Sequence, residues 1–163
     1  MSRAMTQDEL DGALMAAAQY GTFQQVKDLL EKGARLDARD RQGNFPLHLA
    51  ACHSDEKIAE RLLALGASHD VRCNAGMTPL HAAAWNDRGE VVKLLLAAGA
   101  DPTARNHTGR FPRAFCSETE IRDVLQKAEG EWKEPEERAR EALAVHLARQ
   151  RKLGALRPKG PSL

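Results

Sequence analysis

His48 and His81 stand at matching places in two similar stretches, with Cys52-His53, His69 and Cys73 between them, so imidazole and thiol chemistry come first among what these residues could do. A thiol beside an imidazole would make a nucleophile with its base. Cys52 and His53 are adjacent in the chain, however, and adjacent residues of a helix point about 100 degrees apart, which separates the two groups. Zinc ligands fall at spacings such as C-x2-C or H-x3-H, and Cys52, His53, His69 and Cys73 follow neither. The chain has no glycine-rich phosphate loop and no G-x-S-x-G turn. No catalytic centre, metal site or cofactor is therefore expected.

The shared register of the two histidines has another source. Gly43, Gly76 and Gly109 are evenly spaced, as are Pro46, Pro79 and Pro112, and Gly33-Ala34, Gly66-Ala67 and Gly99-Ala100 repeat at the same interval after leucine-rich stretches. A fixed period of about 33 residues marks stacked supersecondary units. In the clearest copy, residues 74–106, the Thr78 hydroxyl can cap a helix whose first position is Pro79, where a missing N–H costs nothing. The small side chains from Leu80 to Ala84 let that helix lie close to its neighbours. Asn86-Asp87-Arg88-Gly89 reads as a reversal. Val91, Val92, Leu94, Leu95 and Leu96 predict a second helix, which Gly99 terminates. So short a pair cannot bury its apolar face alone and must stack on the next copy.

Thr78-Pro79-Leu80-His81 with Ala83-Ala84, then Val91 to Leu96 and Gly99-Ala100-Asp101, resembles an ankyrin repeat. Pro46-Leu47-His48-Leu49-Ala50-Ala51, with Arg61-Leu62-Leu63 and Gly66-Ala67, is a second copy. There Phe45 replaces the capping threonine and Ser54-Asp55 replace the usual Gly-His turn, so the side-chain cap is expected to be lost. Upstream, Ala13 to Ala18, Gly21, Val26 to Leu30 and Gly33-Ala34 keep a helix pair without the TPLH start, which suits a terminal unit. Downstream, Gly109-Arg110-Phe111-Pro112 keeps the entrance, but Arg113 and Ala114 replace leucine and histidine. Ile121, Val124 and Leu125 align there only across a three-residue deletion, with Ser117 and Glu120 spaced as a capping box. The resemblance implies an all-α fold, an ankyrin-repeat α-solenoid with repeats at about 9–41, 42–73, 74–106 and 107–129. It implies a non-enzymatic protein-binding scaffold, and it makes His48 and His81 bridges between the backbone and hydroxyl groups of neighbouring units.

In that arrangement inner helices and hairpin tips line a concave face, and the two positions after the paired alanines point into it. Here they hold Gln19-Tyr20, Cys52-His53 and Trp85-Asn86. Trp85 is expected to face the groove, where a large aromatic is an effective binding anchor; the competing expectation is that it packs on the next repeat or its own hairpin. The tips add Arg39, Arg41 and Asn44, then Arg72, Asn74 and Met77, then Arg105, His107 and Arg110. Arginines 39, 72 and 105 share one register and could steer an acidic peptide or protein surface, unless Asp37, Asp70 and Asp101 neutralise them. The candidate contacts are thus Tyr20, Arg39, Arg41, His53, Arg72, Met77, Trp85, Asn86, Arg105 and Arg110.

The segment after Gly130 differs in character, with eight basic against five acidic residues. From Glu136 to Leu153, Ala139, Ala142, Leu143, His146, Leu147, Gln150 and Leu153 share one side of a predicted amphipathic helix. Gly154, Pro158 and Pro161 are expected to end it. This extra C-terminal helix either caps the last repeat or docks into a partner's groove. Arg149, Arg151, Lys152, Arg157 and Lys159 form a weak nucleic-acid or anionic-membrane footprint, since no aromatics interleave them. The whole chain carries a net charge of +1, which gives no general pull toward either. Three unpaired-looking cysteines, no signal-peptide core in MSRAMTQDELDG and no apolar run of membrane-spanning length favour an intracellular protein, cytoplasmic or nuclear, monomeric by itself.

Overall fold

The computed structural model describes residues 4–53 and 56–155, with side chains as far as residue 148. The Ser54-Asp55 turn, the side chains of Arg149, Arg151 and Lys152, and Arg157, Lys159 and the two prolines near the C-terminus lie outside the described residues. The chain divides into two compact units, Met1–Gly130 and Glu131–Leu163.

The first unit is a stack of helix pairs. α1 (Gln7–Tyr20) and α2 (Phe23–Glu31) form the first, α3 (Pro46–His53) and α4 (Glu56–Ala64) the second, α5 (Pro79–Trp85) and α6 (Gly89–Ala97) the third. The fourth keeps only a 3-10 turn, Pro112–Phe115, before α7 (Thr119–Glu131). No β-strand occurs among the described residues. The all-α solenoid implied by the repeat is therefore the fold observed. Both helices of the first pair start at capping boxes: Thr6 with Glu9, and Thr22 with Gln25. Each threonine oxygen accepts the N–H three residues on, and the returning side chain accepts the threonine N–H at 2.8 Å.

The main core runs through the stack, with Met15, Ala18, Ala38 and Leu49 forming a smaller cluster beside it. Leu14, Leu47, Leu62, Leu80, Leu95 and Leu125 are fully buried at successive levels. The first helices of the pairs pack most closely, α1 on α3, α3 on α5, and α5 on the 3-10 turn. Alanines at 17, 50, 51, 83 and 84 allow that approach, because a methyl group is all that separates the backbones. Contacts between the second helices are sparser.

The second unit consists of α8 (Pro135–Ala155), the expected C-terminal helix. It continues through Gly154, one residue beyond the expected stop. A glycine lowers helix propensity by about 1 kcal/mol without forbidding the conformation. Leu143, Val145 and Leu147 are exposed on it.

Candidate protein-binding face

The two histidines that first suggested catalysis are structural. His48 is 2% exposed and His81 fully buried. The Phe45 N–H donates to His48 Nδ1 at 3.3 Å, and the Thr78 N–H donates to His81 Nδ1 at 3.2 Å. An Nδ1 that accepts leaves the ring hydrogen on Nε2. Nε2 of His48 accordingly donates to the Met77 carbonyl at 2.8 Å, and Nε2 of His81 to the Arg110 carbonyl at 3.0 Å. Each ring thus ties the start of its own helix to the hairpin of the next unit. Burial holds both imidazoles below their ordinary pKa of 6.5, so they stay neutral.

Phe45 removes only half of the expected cap. The hydroxyl is gone, but His48 still accepts the Phe45 N–H, and the phenyl ring stacks on the imidazole at 5.8 Å and receives the Arg39 guanidinium at 4.4 Å. At the third unit the Thr78 hydroxyl adds a 2.9 Å bond to His81 Nδ1.

What the inner helices can offer is settled by burial. Pro46 to Ala51 and Pro79 to Ala84 are buried throughout, so these helices reach solvent only at their last residues. Those residues are the paired positions singled out in the sequence. Tyr20 is 77% exposed and Trp85 58% exposed. The Tyr20 ring meets His53 at 5.1 Å, and Gln19 Nε2 lies 2.8 Å from the Tyr20 hydroxyl and 3.2 Å from His53 Nε2. Trp85 is therefore not wedged inside, yet neither is it free: one face stacks on Phe115 of the fourth unit, centroids 5.1 Å apart and planes 20° from parallel. The stack on Phe115 matches the expectation that Trp85 packs on the next repeat, and the rest of the indole is exposed. Asn86 folds back, its Nδ2 on the Ala82 carbonyl at 2.9 Å, closing the end of α5.

Cys52 and His53 do not form a catalytic pair, because His53 is engaged by Gln19 and Tyr20 while burial pushes the Cys52 thiol above its ordinary value, away from the reactive thiolate. Cys52, Cys73 and Cys116 are free thiols.

The arginine row is committed to internal bonds. Arg72 donates to the carbonyls of Gly76 and Arg105, at 3.0 and 2.7 Å, and Arg105 donates to the Gly109 carbonyl at 3.0 Å while covering the Phe111 ring at 4.1 Å. Asp37, Asp70 and Asp101 pair with none of these arginines among the described residues; Asp70 instead meets His69 and Asp101 holds Thr103. Arg41 and Arg110 are exposed at the tips, and the Met77 side chain is half-buried.

Three determinants lie outside what the repeat pattern signals. Phe115 stands one full repeat after Ala82, so ungapped counting places it on the inner helix, but the degenerate start of the fourth copy hides it. Asp87, with φ +50°, reaches forward to the start of α7: it accepts the N–H groups of Ser117 and Glu118 at 2.9 and 3.1 Å and the Ser117 hydroxyl. Ser117 therefore bonds backward to Asp87 and does not form a capping box with Glu120. Those bonds hold the Asp87 carboxyl below its ordinary range. Asp11, buried on α1, accepts the Arg35 N–H at 2.8 Å and the Arg35 Nε at 2.7 Å; burial raises its pKa, and the Arg35 bonds outweigh burial so that it lies below the usual value.

A stack of helix pairs with a buried alanine seam is the architecture of a helical repeat protein. Residues 13–106 match the sequence profile described as ankyrin repeats, in three copies. The chain belongs to the ankyrin-repeat family, whose members are generally protein–protein interaction modules and typically not enzymes. Comparison with curated proteins gives no match. No helix among the described residues is long and apolar enough to cross a membrane.

Proposed function

We propose that this protein is a non-enzymatic adaptor that binds a protein partner on the face formed by the ends of its inner helices. The observation that carries this reading is the exposure of two large aromatics at the ends of inner helices, Tyr20 of α1 and Trp85 of α5, the latter closing a helix that is otherwise buried from Pro79 to Ala84. Aromatics so placed bring large contact area with little ordering to be done on binding. Trp85 is already oriented by Phe115, and Tyr20 by Gln19 and His53, which lowers that requirement further. Arg41 and Arg110, exposed at the tips, supply the positive rim suited to an acidic peptide, whereas Arg39, Arg72 and Arg105 act chiefly within the hairpins.

The experiment is affinity capture on the intact chain and on Trp85→Ala in parallel. A partner bound through this face is retained by the first and depleted from the second; equal recovery from both refutes the assignment.

A second reading rests on α8, where Leu143, Val145 and Leu147 are exposed. A helix that offers apolar side chains to solvent can dock into a groove of a partner. Under this reading, removal of residues 131–163 abolishes binding and Trp85→Ala leaves it unchanged.

A further inference from the structure

The hairpins that open the second, third and fourth repeats are linked tip to tip, and the last link is open. Asn74 donates its backbone N–H to the Gln42 carbonyl at 3.0 Å, and His107 donates in the same way to Ala75 at 3.0 Å. Each donor's side chain lies over the turn glycine of the preceding hairpin. Asn74 covers Gly43 and His107 covers Gly76, so closely that a Cβ on either glycine would collide with it. Both glycines are buried, with φ of +74° and +73°. A third contact completes the second link: the Arg72 guanidinium, on its own Gly76 carbonyl at 3.0 Å, also takes the Arg105 carbonyl of the next hairpin at 2.7 Å.

The last hairpin presents the same three features with nothing upon them. Gly109 has φ +76°, is exposed, and has no atom of the described residues within 4 Å of the place a Cβ would occupy. Thr108, the counterpart of Ala75, has a carbonyl that receives no backbone hydrogen bond among the described residues. Arg105 holds the Gly109 carbonyl at 3.0 Å as Arg72 holds Gly76, and it takes no carbonyl beyond its own hairpin among the described residues.

We propose that this edge is a second binding site, which takes up a hairpin turn of another protein as a further rung. The two filled links define what fits. The turn presents a carbonyl to Arg105 and, two residues later, an N–H to Thr108 together with an asparagine or histidine side chain that lies over Gly109. Arg105-Asn106-His107 meets the third repeat's hairpin in this pattern. One main-chain bond and the guanidinium–carbonyl contact supply affinity, and the polar side chain over the glycine supplies selectivity. A second copy of this chain does not fit, because its second and third hairpins spend the outward N–H within their own ladder. Its first hairpin is flanked by the α1–α2 layer, which would have to occupy the level of Pro112–Phe115 and α7. The site does not depend on the assignment of the inner-helix face, although its hairpin also carries Arg110.

The test is titration of the full-length, nitrogen-15-labelled chain with a backbone-cyclised peptide carrying the sequence of residues 103–111. The expected result is saturable shifts at Arg105, Thr108 and Gly109. N-methylation of the peptide amide equivalent to His107 should weaken binding about tenfold, the worth of one hydrogen bond. Gly109→Asn, which tolerates positive φ and fills the seat, should abolish it. Arg105→Gln, a substitution at an exposed residue, should weaken it and serves as an independent check should the turn be disturbed. Absence of saturation at millimolar peptide, undiminished affinity of the N-methylated peptide, or shifts at Tyr20, His53 and Trp85 in place of the edge would overturn the proposal.

Discussion

Trp85 is held on one side and open on the other, and the two sides make separable predictions. Trp85→Ala should weaken the partner by more than about 1 kcal/mol, as loss of an aromatic anchor does. The same substitution should lower unfolding stability by only the worth of the Phe115 stack, about 0.5–1.5 kcal/mol, measured by urea denaturation. The buried imidazoles make a second prediction. The unfolded chain takes up protons as pH falls through 6.5, while the folded chain resists until lower pH because burial depresses His48 and His81. Stability should therefore decline from that value downward, by up to about 1.4 kcal/mol per pH unit for each ring. Asp11 and Asp87 act in a lower window: with carboxyls held below the ordinary 3.8, their contribution is present above that pH and lost as pH falls beneath it. Urea denaturation over a series of pH values checks both, and a flat profile across the histidine range would contradict the neutral, bridging rings.

Helix starts are where this chain departs from its own repeat. Asp87 anchors the two residues just before α7 from the preceding unit and does so in a left-handed conformation that alanine tolerates poorly. Asp87→Gly should lose these hydrogen bonds alone, about 1 kcal/mol, whereas Asp87→Ala should lose them and add backbone strain, about 2 kcal/mol in all. Equal losses in chemical denaturation would remove the conformational part of the explanation. Phe45→Thr restores the family's usual residue and should nevertheless destabilise the fold. It gains a cap of about 1 kcal/mol and gives up a buried ring worth about 1.5–3 kcal/mol, so the thermal midpoint should fall. The helix pairs themselves were legible because their glycines, prolines and alanines recur at one interval. Asp87 and Phe115 were not, since Ser117 and Glu118, which Asp87 binds, and Phe115 itself lie in the fourth copy, whose degenerate start hides the register. The Asp11–Arg35 bond left no periodic signal at all, only an acid among the buried residues of α1.

At the scale of the repeat array, three helix pairs and a 3-10 turn with α7 bury a continuous seam of leucine and alanine that none could bury alone. That stack was readable in the sequence; of the pairs after the alanines, Tyr20 and Trp85 are exposed while Cys52 packs against the core. The commitment of the arginine row was not, because a tip arginine can bond outward or back onto a carbonyl, and only the positions of Gly76, Arg105 and Gly109 decide between these. Calorimetric titration of a captured partner, taken as a purified protein, against the intact chain and Trp85→Ala is the most direct test of the inner-face assignment. The account predicts a dissociation constant raised at least several-fold in a variant whose fold is retained. An unchanged constant would show that the guest is held elsewhere.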